Sequence, residues 1–131
     1  MKTVYIVDDS SAVRERLIGM ISEIEGTALA GASGDPRVAV KAIFQLHPDA
    51  VILDIRMPGM NGIQVLREIK QAERPPLVIM LTNYAFGPYR RECAEAGADY
   101  FLNKHTEFEK INGILAGIVH ADLHSDEQQG G

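Results

Sequence analysis

Val51-Ile52-Leu53-Asp54-Ile55-Arg56-Met57-Pro58-Gly59-Met60-Asn61-Gly62 is the stretch whose reading decides the fold. It opens as a run of β-branched and large apolar residues, the composition of a strand buried on both faces, and breaks into a carboxylate followed by a Pro/Gly/Asn-rich turn. Asp54 thus stands at the end of a rigid element, facing a loop. Alone it says little, because Asp is an ordinary turn and helix-capping residue. Its weight depends on what the rest of the chain brings to the same edge.

The pattern repeats on both sides. Thr3–Val7 is a short apolar run followed by Asp8-Asp9-Ser10-Ser11, which can turn the chain and cap a helix; Val13, Leu17, Met20, Ile21 and Ile24 then recur at helical spacing, with Gly26 as a stop. A weaker strand, Ala28–Ala32, precedes Asp35-Pro36, an N-cap with proline in the first helical position, and Ala39, Ile43 and Leu46 mark a helix ending before Pro48. Ala50–Asp54 is the third strand. A third helix starts near Asn61 or Gly62, with Ile63, Leu66 and Ile69 on one face. Leu77–Thr82 is a fourth buried strand, Gly87 to Gly97 a polar helix with Tyr89 and Cys93 inward, and Asp99–Asn103 a fifth strand. Thr106 and Glu109 have capping-box spacing, and Phe108, Ile111, Leu115, Ile118 and Val119 line a last helix. Strand and helix alternate five times. Such alternation predicts an α/β fold, a three-layer α/β/α sandwich around a parallel sheet, because right-handed crossovers place helices on both faces.

Composition agrees. The 131 residues are 46% hydrophobic and 24% charged, enough for one domain with a continuous core, and no apolar run approaches the roughly 20 residues needed to span a membrane. We expect a domain at 1–121 and a polar, disordered tail at 122–131. Cys93 is the single cysteine, so an internal disulfide is excluded and a reducing, cytoplasmic setting is the simplest fit. The net charge of −5 opposes direct nucleic-acid binding, and the N-terminus carries no signal-peptide pattern.

In a parallel sheet the polar strand ends share one address, the carboxyl edge where open α/β sheets place their sites. Asp8 and Asp9 follow the first strand, Asp54 ends the third, Thr82 ends the fourth and Lys104 follows the fifth. Three carboxylates converging there call for a hard divalent cation with oxygen ligands, and Mg²⁺ suits so few protein donors. Adding an ammonium and a hydroxyl describes a phosphoryl site with a carboxylate nucleophile. Singly, each residue is as well explained as a cap, a β-former or a solvated charge.

These residues, in this order and with Met57-Pro58-Gly59-Met60-Asn61-Gly62 after Asp54, resemble the signature of response-regulator receiver domains of two-component signalling, over roughly residues 3 to 120. The resemblance implies a flavodoxin-like five-stranded sheet of order 2-1-3-4-5, standing as a single domain. It implies Asp54 as phosphoacceptor and Asp9 as direct metal ligand, with Asp8 a second acidic ligand acting through water. The backbone carbonyl of Arg56 completes the protein's share of the shell, and the ion is Mg²⁺ or Mn²⁺. Lys104 pairs with the phosphoryl oxygens, Thr82 moves toward them, and Phe101 is the switch aromatic. Arg56 and Tyr84 hold the two variable positions beside the site, where they modulate hydrolysis. The implied function is a phosphorylation-dependent switch, not an enzyme acting on an external metabolite. Its donor is a sensor histidine kinase or phosphotransfer protein, and its fourth helix, fifth strand and fifth helix meet a downstream protein or a second copy in a homodimer. The chain departs from the family at His105, where proline is usual, which bears on the cis bond and the pose of Lys104; Asn83 replaces the usual small residue. The competing function is an Mg²⁺-dependent aspartate-nucleophile phosphatase of the haloacid-dehalogenase type. That chemistry wants a second acid where this chain has Arg56. A flavodoxin-like cofactor carrier is more remote, since two acids stand where a phosphate loop would be.

Overall fold

A computed structural model describes residues 1–85 and 87–130, the side chains of 122–130 excepted. Strands β1 (Lys2–Val7), β2 (Thr27–Ser33), β3 (Ala50–Leu53), β4 (Leu77–Thr82) and β5 (Tyr100–Asn103) alternate with helices α1 (Ser11–Glu23), α2 (Pro36–Leu46), α3 (Gly62–Ile69), α4 (Gly87–Glu95) and α5 (Lys110–Gly130). The five strands form one sheet in the order β2-β1-β3-β4-β5, and every pairing is parallel. The expected tail at 122–131, with its boundary at residue 121, concerns side chains outside the described residues. Among the described residues, no helix is long and apolar enough to cross a membrane.

Period-two alternation sorts the core into two layers. Tyr5, Val7, Val51, Leu53, Val78 and Met80 face α2, α3 and α4, where they meet Ala39, Ile43, Leu66, Ile69 and Cys93. Val4, Ile6, Ile52, Ile79 and Leu81 point the other way, onto Leu17 and Ile21 of α1 and Ile111 and Leu115 of α5. β3 is apolar throughout because both its faces are covered. Burial of each such aliphatic side chain contributes about 1.5–3 kcal/mol before conformational entropy is set against it.

The helix starts follow their caps. Ser10 accepts from the Val13 N–H, Asp35 accepts from Arg37 ahead of Pro36, and Asn61 forms a capping box with Gln64. The capping box expected at Thr106 does not form. α5 begins at Lys110, and the turn before it is organised by Asn103, whose Oδ1 accepts from the N–H groups of His105 and Thr106, while its own N–H donates to Glu107 Oε1. The turn that Asn103 closes takes in Thr106, and the helix starts only after it.

Candidate functional site

Sheet register sets the site. Val7 lies opposite Leu53, so the next residues, Asp8 and Asp54, leave the sheet side by side, with the Asp54 N–H donating to the Val7 carbonyl at 3.0 Å. Thr82 lies opposite Asn103, which brings Lys104 to the same edge; its N–H donates to the Thr82 carbonyl at 2.9 Å. Carboxylate oxygens of Asp8, Asp9 and Asp54 all lie within 4.8 Å of one another. Lys104 Nζ reaches Asp8 Oδ2 at 2.7 Å and Asp54 Oδ2 at 2.9 Å. All peptide bonds among the described residues are trans, and Lys104 reaches both acids with His105 behind it.

The other oxygens of the two buried acids are also engaged. Asp54 Oδ1 accepts from the Ile55 N–H at 2.8 Å, and Asp8 Oδ1 from the Ser10 N–H at 2.9 Å. Gly62 closes the wall behind Asp54: a Cβ there would sit 1.8 Å from the Asp54 carbonyl oxygen, and its N–H donates to the Ile55 carbonyl at 2.6 Å. Only glycine lets the start of α3 approach the strand end so closely.

The side chains of Lys104, Asp8 and Asp54 are 9%, 3% and 7% exposed, so these charges act with little solvent screening. Burial raises the Asp54 carboxyl above its ordinary value; the hydrogen bond and charge of Lys104 oppose this, and neighbouring Asp8 adds to it. For Lys104, burial pulls the ammonium down, but hydrogen bonds and charge from both Asp8 and Asp54 outweigh it, and the pKa is raised. The two shifts point to opposite preferences within one ion pair, charge resisted on Asp54 and favoured on Lys104. Both stand, because Lys104 faces two carboxylates whereas Asp54 faces one ammonium and a like charge. Three carboxylates and one ammonium leave a formal charge of −2, and Asp9 is solvent-exposed at the rim. That donor set fits a divalent cation with oxygen ligands.

Thr82 is fully buried, and its Oγ1 accepts from the Tyr84 N–H at 3.0 Å. Arg56 is exposed on the loop after β3, its guanidinium 4.4 Å from the Tyr84 ring centroid. Phe101, on β5, is half-buried against the α2–α3–α4 layer.

Three partners escaped the sequence. The Arg14 guanidinium donates to the Asp8 carbonyl at 2.7 Å, packed where Gly34 leaves room for it. Tyr89 and Tyr84 raise the pKa of Arg56, Tyr89 the more strongly. Arg90, exposed on α4, lies 4.7 Å from the Phe101 ring centroid. The only hints were spacings: Arg14 falls one helical turn past the Asp8-Asp9 turn, and Tyr89 and Arg90 lie at the start of a helix otherwise poor in apolar residues.

Residues 4–116 match the model of the response regulator receiver domain. The chain is 34% identical over 123 residues to the transcriptional regulatory protein YdfI of Bacillus subtilis, covering 94% of this chain and 57% of YdfI, little more than half of that relative. It superposes on the response regulator domain of Thermotoga maritima CheB with a TM-score of 0.79 at 27% identity, covering 92% of this chain and 95% of the other. A chain of the CheX-CheY-BeF3-Mg²⁺ complex of Borrelia burgdorferi gives a TM-score of 0.76 at 26% identity, covering 87% and 89%. With fold, strand order and acidic cluster in agreement, the chain belongs to the response-regulator receiver domains of two-component systems.

Proposed function

We propose that this receiver domain accepts a phosphoryl group on Asp54 and works as a phosphorylation-dependent switch. The observation that carries the reading is the meeting of Asp8, Asp9 and Asp54 within 4.8 Å, with Lys104 between the two buried acids. Mg²⁺, or Mn²⁺, is the cofactor this donor set fits, held by Asp9 and Asp54, by Asp8 through water, and by the backbone carbonyl of Arg56. Its chemistry there is to neutralise charge on the phosphoryl oxygens and orient them for in-line attack. A structural relative was solved in a complex with BeF3 and Mg²⁺, in keeping with this chemistry.

In the transfer, an Asp54 carboxylate oxygen forms the new bond to phosphorus. The bond from phosphorus to the donor's imidazole nitrogen breaks, and its electron pair returns to the ring. Lys104 follows the charge from Asp54 to the phosphoryl group, and the Thr82 hydroxyl gives up the Tyr84 N–H to turn toward it. Phe101 then moves inward, favouring an arrangement of α4, β5 and α5 that a partner reads. A groove of about 870 Å³ lined by Tyr100, Leu102, Gly113, Ile114, Gly117 and Ile118 lies on that face and suits a protein partner or a second copy. Arg56 and Tyr84, at the rim, slow hydrolysis. The donor is a sensor histidine kinase or phosphotransfer protein, the setting cytoplasmic, and no nucleic acid or metabolite is acted on directly. A phosphatase of the haloacid-dehalogenase type is disfavoured because Arg56 occupies the place of the general acid and lies over the Tyr84 ring.

Incubation with Mg²⁺ and acetyl phosphate, read by intact mass, tests the assignment. The expected result is one phosphate-sized gain in the parent protein and none in Asp54→Asn. A gain that survives the substitution would sink it.

A further inference from the structure

Asp8 is tied at every polar atom. Its N–H donates to the Ser33 carbonyl at 3.1 Å, its carboxylate takes the Ser10 N–H and Lys104 Nζ, and its carbonyl accepts from the Arg14 guanidinium at 2.7 Å. Asp9 is the opposite case: it is exposed, and among the described residues no hydrogen bond or ion pair anchors its carboxylate. What aims Asp9 at the cluster is therefore its backbone. The planar peptide joining it to Asp8 is the unit whose oxygen Arg14 holds. Arg14 lies in the first turn of α1, where the helix dipole disfavours a cation, and the bond to Asp8 offsets that cost. Gly34, on the loop after β2, is the floor beneath them: a Cβ there would lie 2.7 Å from Arg14 Nη1, 3.3 Å from the Asp9 Cα and 3.4 Å from the Asp8 carbonyl oxygen. Guanidinium, peptide and glycine are packed as one unit at the rim of the acidic cluster.

We infer that Arg14, backed by Gly34, is a positioning residue for the metal site: by holding the Asp8–Asp9 peptide it aims the Asp9 carboxylate into the cluster, and so sets how tightly a divalent cation is bound. The inference rests on the metal-dependent reading above. A guanidinium near a cation site also has an effect of the opposite sign, since its charge repels the ion. Positioning wins. Arg14 gives its hydrogen bond to a neutral carbonyl and so neutralises no ligand, and its half-buried charge is partly screened by water. Loss of an outer partner of a metal ligand, by contrast, typically costs about tenfold or more in affinity.

The test follows Mn²⁺ binding without any phosphodonor, by loss of the free-ion electron paramagnetic resonance signal, with Asp9→Asn marking the cluster as the site. Arg14→Ala is expected to weaken binding about three- to tenfold. Gly34→Ala keeps every charge and presses on the guanidinium, and should weaken it about two- to fivefold. In the Arg14→Ala background the same change should add less than about twofold, because the methyl group then takes the guanidinium's place. With acetyl phosphate as donor, the loss in Arg14→Ala should appear in the Mg²⁺ needed for the half-maximal rate and not in the rate at saturating Mg²⁺. An Arg14→Ala protein that binds Mn²⁺ as tightly as the parent, or more tightly, overturns the inference, for the arginine is then only a charge. So does an equal fall in the saturating rate, which marks a general loosening, or an equal loss from Gly34→Ala in both backgrounds. A parent protein that takes up no Mn²⁺, or no more than Asp9→Asn does, overturns the metal site and the inference with it, so the two failures are told apart.

Discussion

The two halves of the sheet's carboxyl edge are built differently. At the β1–β3 half, main-chain groups hold the acids: Asp8 and Asp54 receive N–H groups from Ser10 and Ile55, and their own N–H groups donate to Ser33 and Val7. Gly62 leaves α3 against Asp54 with no slack. At the β4–β5 half, side chains hold side chains. Arg90 covers Phe101, Arg56 covers Tyr84, and Tyr100 on the edge strand is 42% exposed. Backbone-held groups are preorganised, which suits an in-line transfer, whereas contacts between arginines and aromatic rings are weak enough to exchange. One half is built for chemistry and the other for rearrangement.

The largest blow to that contrast should come from Gly62→Ala. A methyl group 1.8 Å from a carbonyl oxygen has nowhere to go, so α3 must back away from β3. We expect a loss of about 3 kcal/mol or more in urea unfolding, together with loss of acetyl phosphate reactivity. A loss under about 1 kcal/mol would mean that the acidic half is softer than its hydrogen bonds imply.

Asp54→Asn sharpens the contrast in the opposite direction. Burial, with Asp8 beside it, raises the Asp54 carboxyl above 3.8 in the fold. A carboxyl raised on folding holds its proton more tightly in the native state. Stability therefore falls as pH climbs from about 3.8 through the folded pKa, and the deficit is complete above it. Removing the charge should raise the melting temperature by a few degrees at pH 7 without Mg²⁺, with the gain fading below pH 3.8. Lys104 keeps Asp8 at 2.7 Å in the variant, so the ammonium is not orphaned. A lower melting temperature at pH 7 would show that the Lys104 pair, and not burial, dominates Asp54.

The smallest effect belongs to the other half. Arg90→Ala should cost only about 0.5–1 kcal/mol, the worth of an exposed cation over a ring, with little change in Asp54 reactivity. A cost above about 2 kcal/mol would place Arg90 among the fixed parts of the structure.

The features legible in the sequence were those that rest on periodicity and strand ends. β3 and β4 announce themselves as apolar runs closed by Asp54 and Thr82, and parallel topology then brings Asp8, Lys104 and their neighbours together. Asp35 was equally plain as a cap, because its geometry is local, and the start of α3 near Asn61 or Gly62 was legible from the spacing that follows it. The misses share a cause. Arg14, Tyr89 and Arg90 act across elements through long side chains, and one-dimensional spacing does not say which way a surface arginine lies. α5 starts later than the spacing suggests for a related reason: Asn103 draws the N–H groups of His105 and Thr106 into a turn, which is visible only once the turn is formed.

Thr82 carries one more consequence. Its carbonyl anchors the Lys104 N–H and it lies opposite Asn103 of β5, so the backbone there is held. What remains free is a single torsion, the turn of the hydroxyl about the Cα–Cβ bond. In the resting position that hydroxyl satisfies the Tyr84 N–H; rotated, it leaves that donor to find another acceptor. A rotation of about 120° between staggered wells is thus converted into a demand that a whole loop rebond. The message leaves the sheet as an unpaid amide rather than as a push.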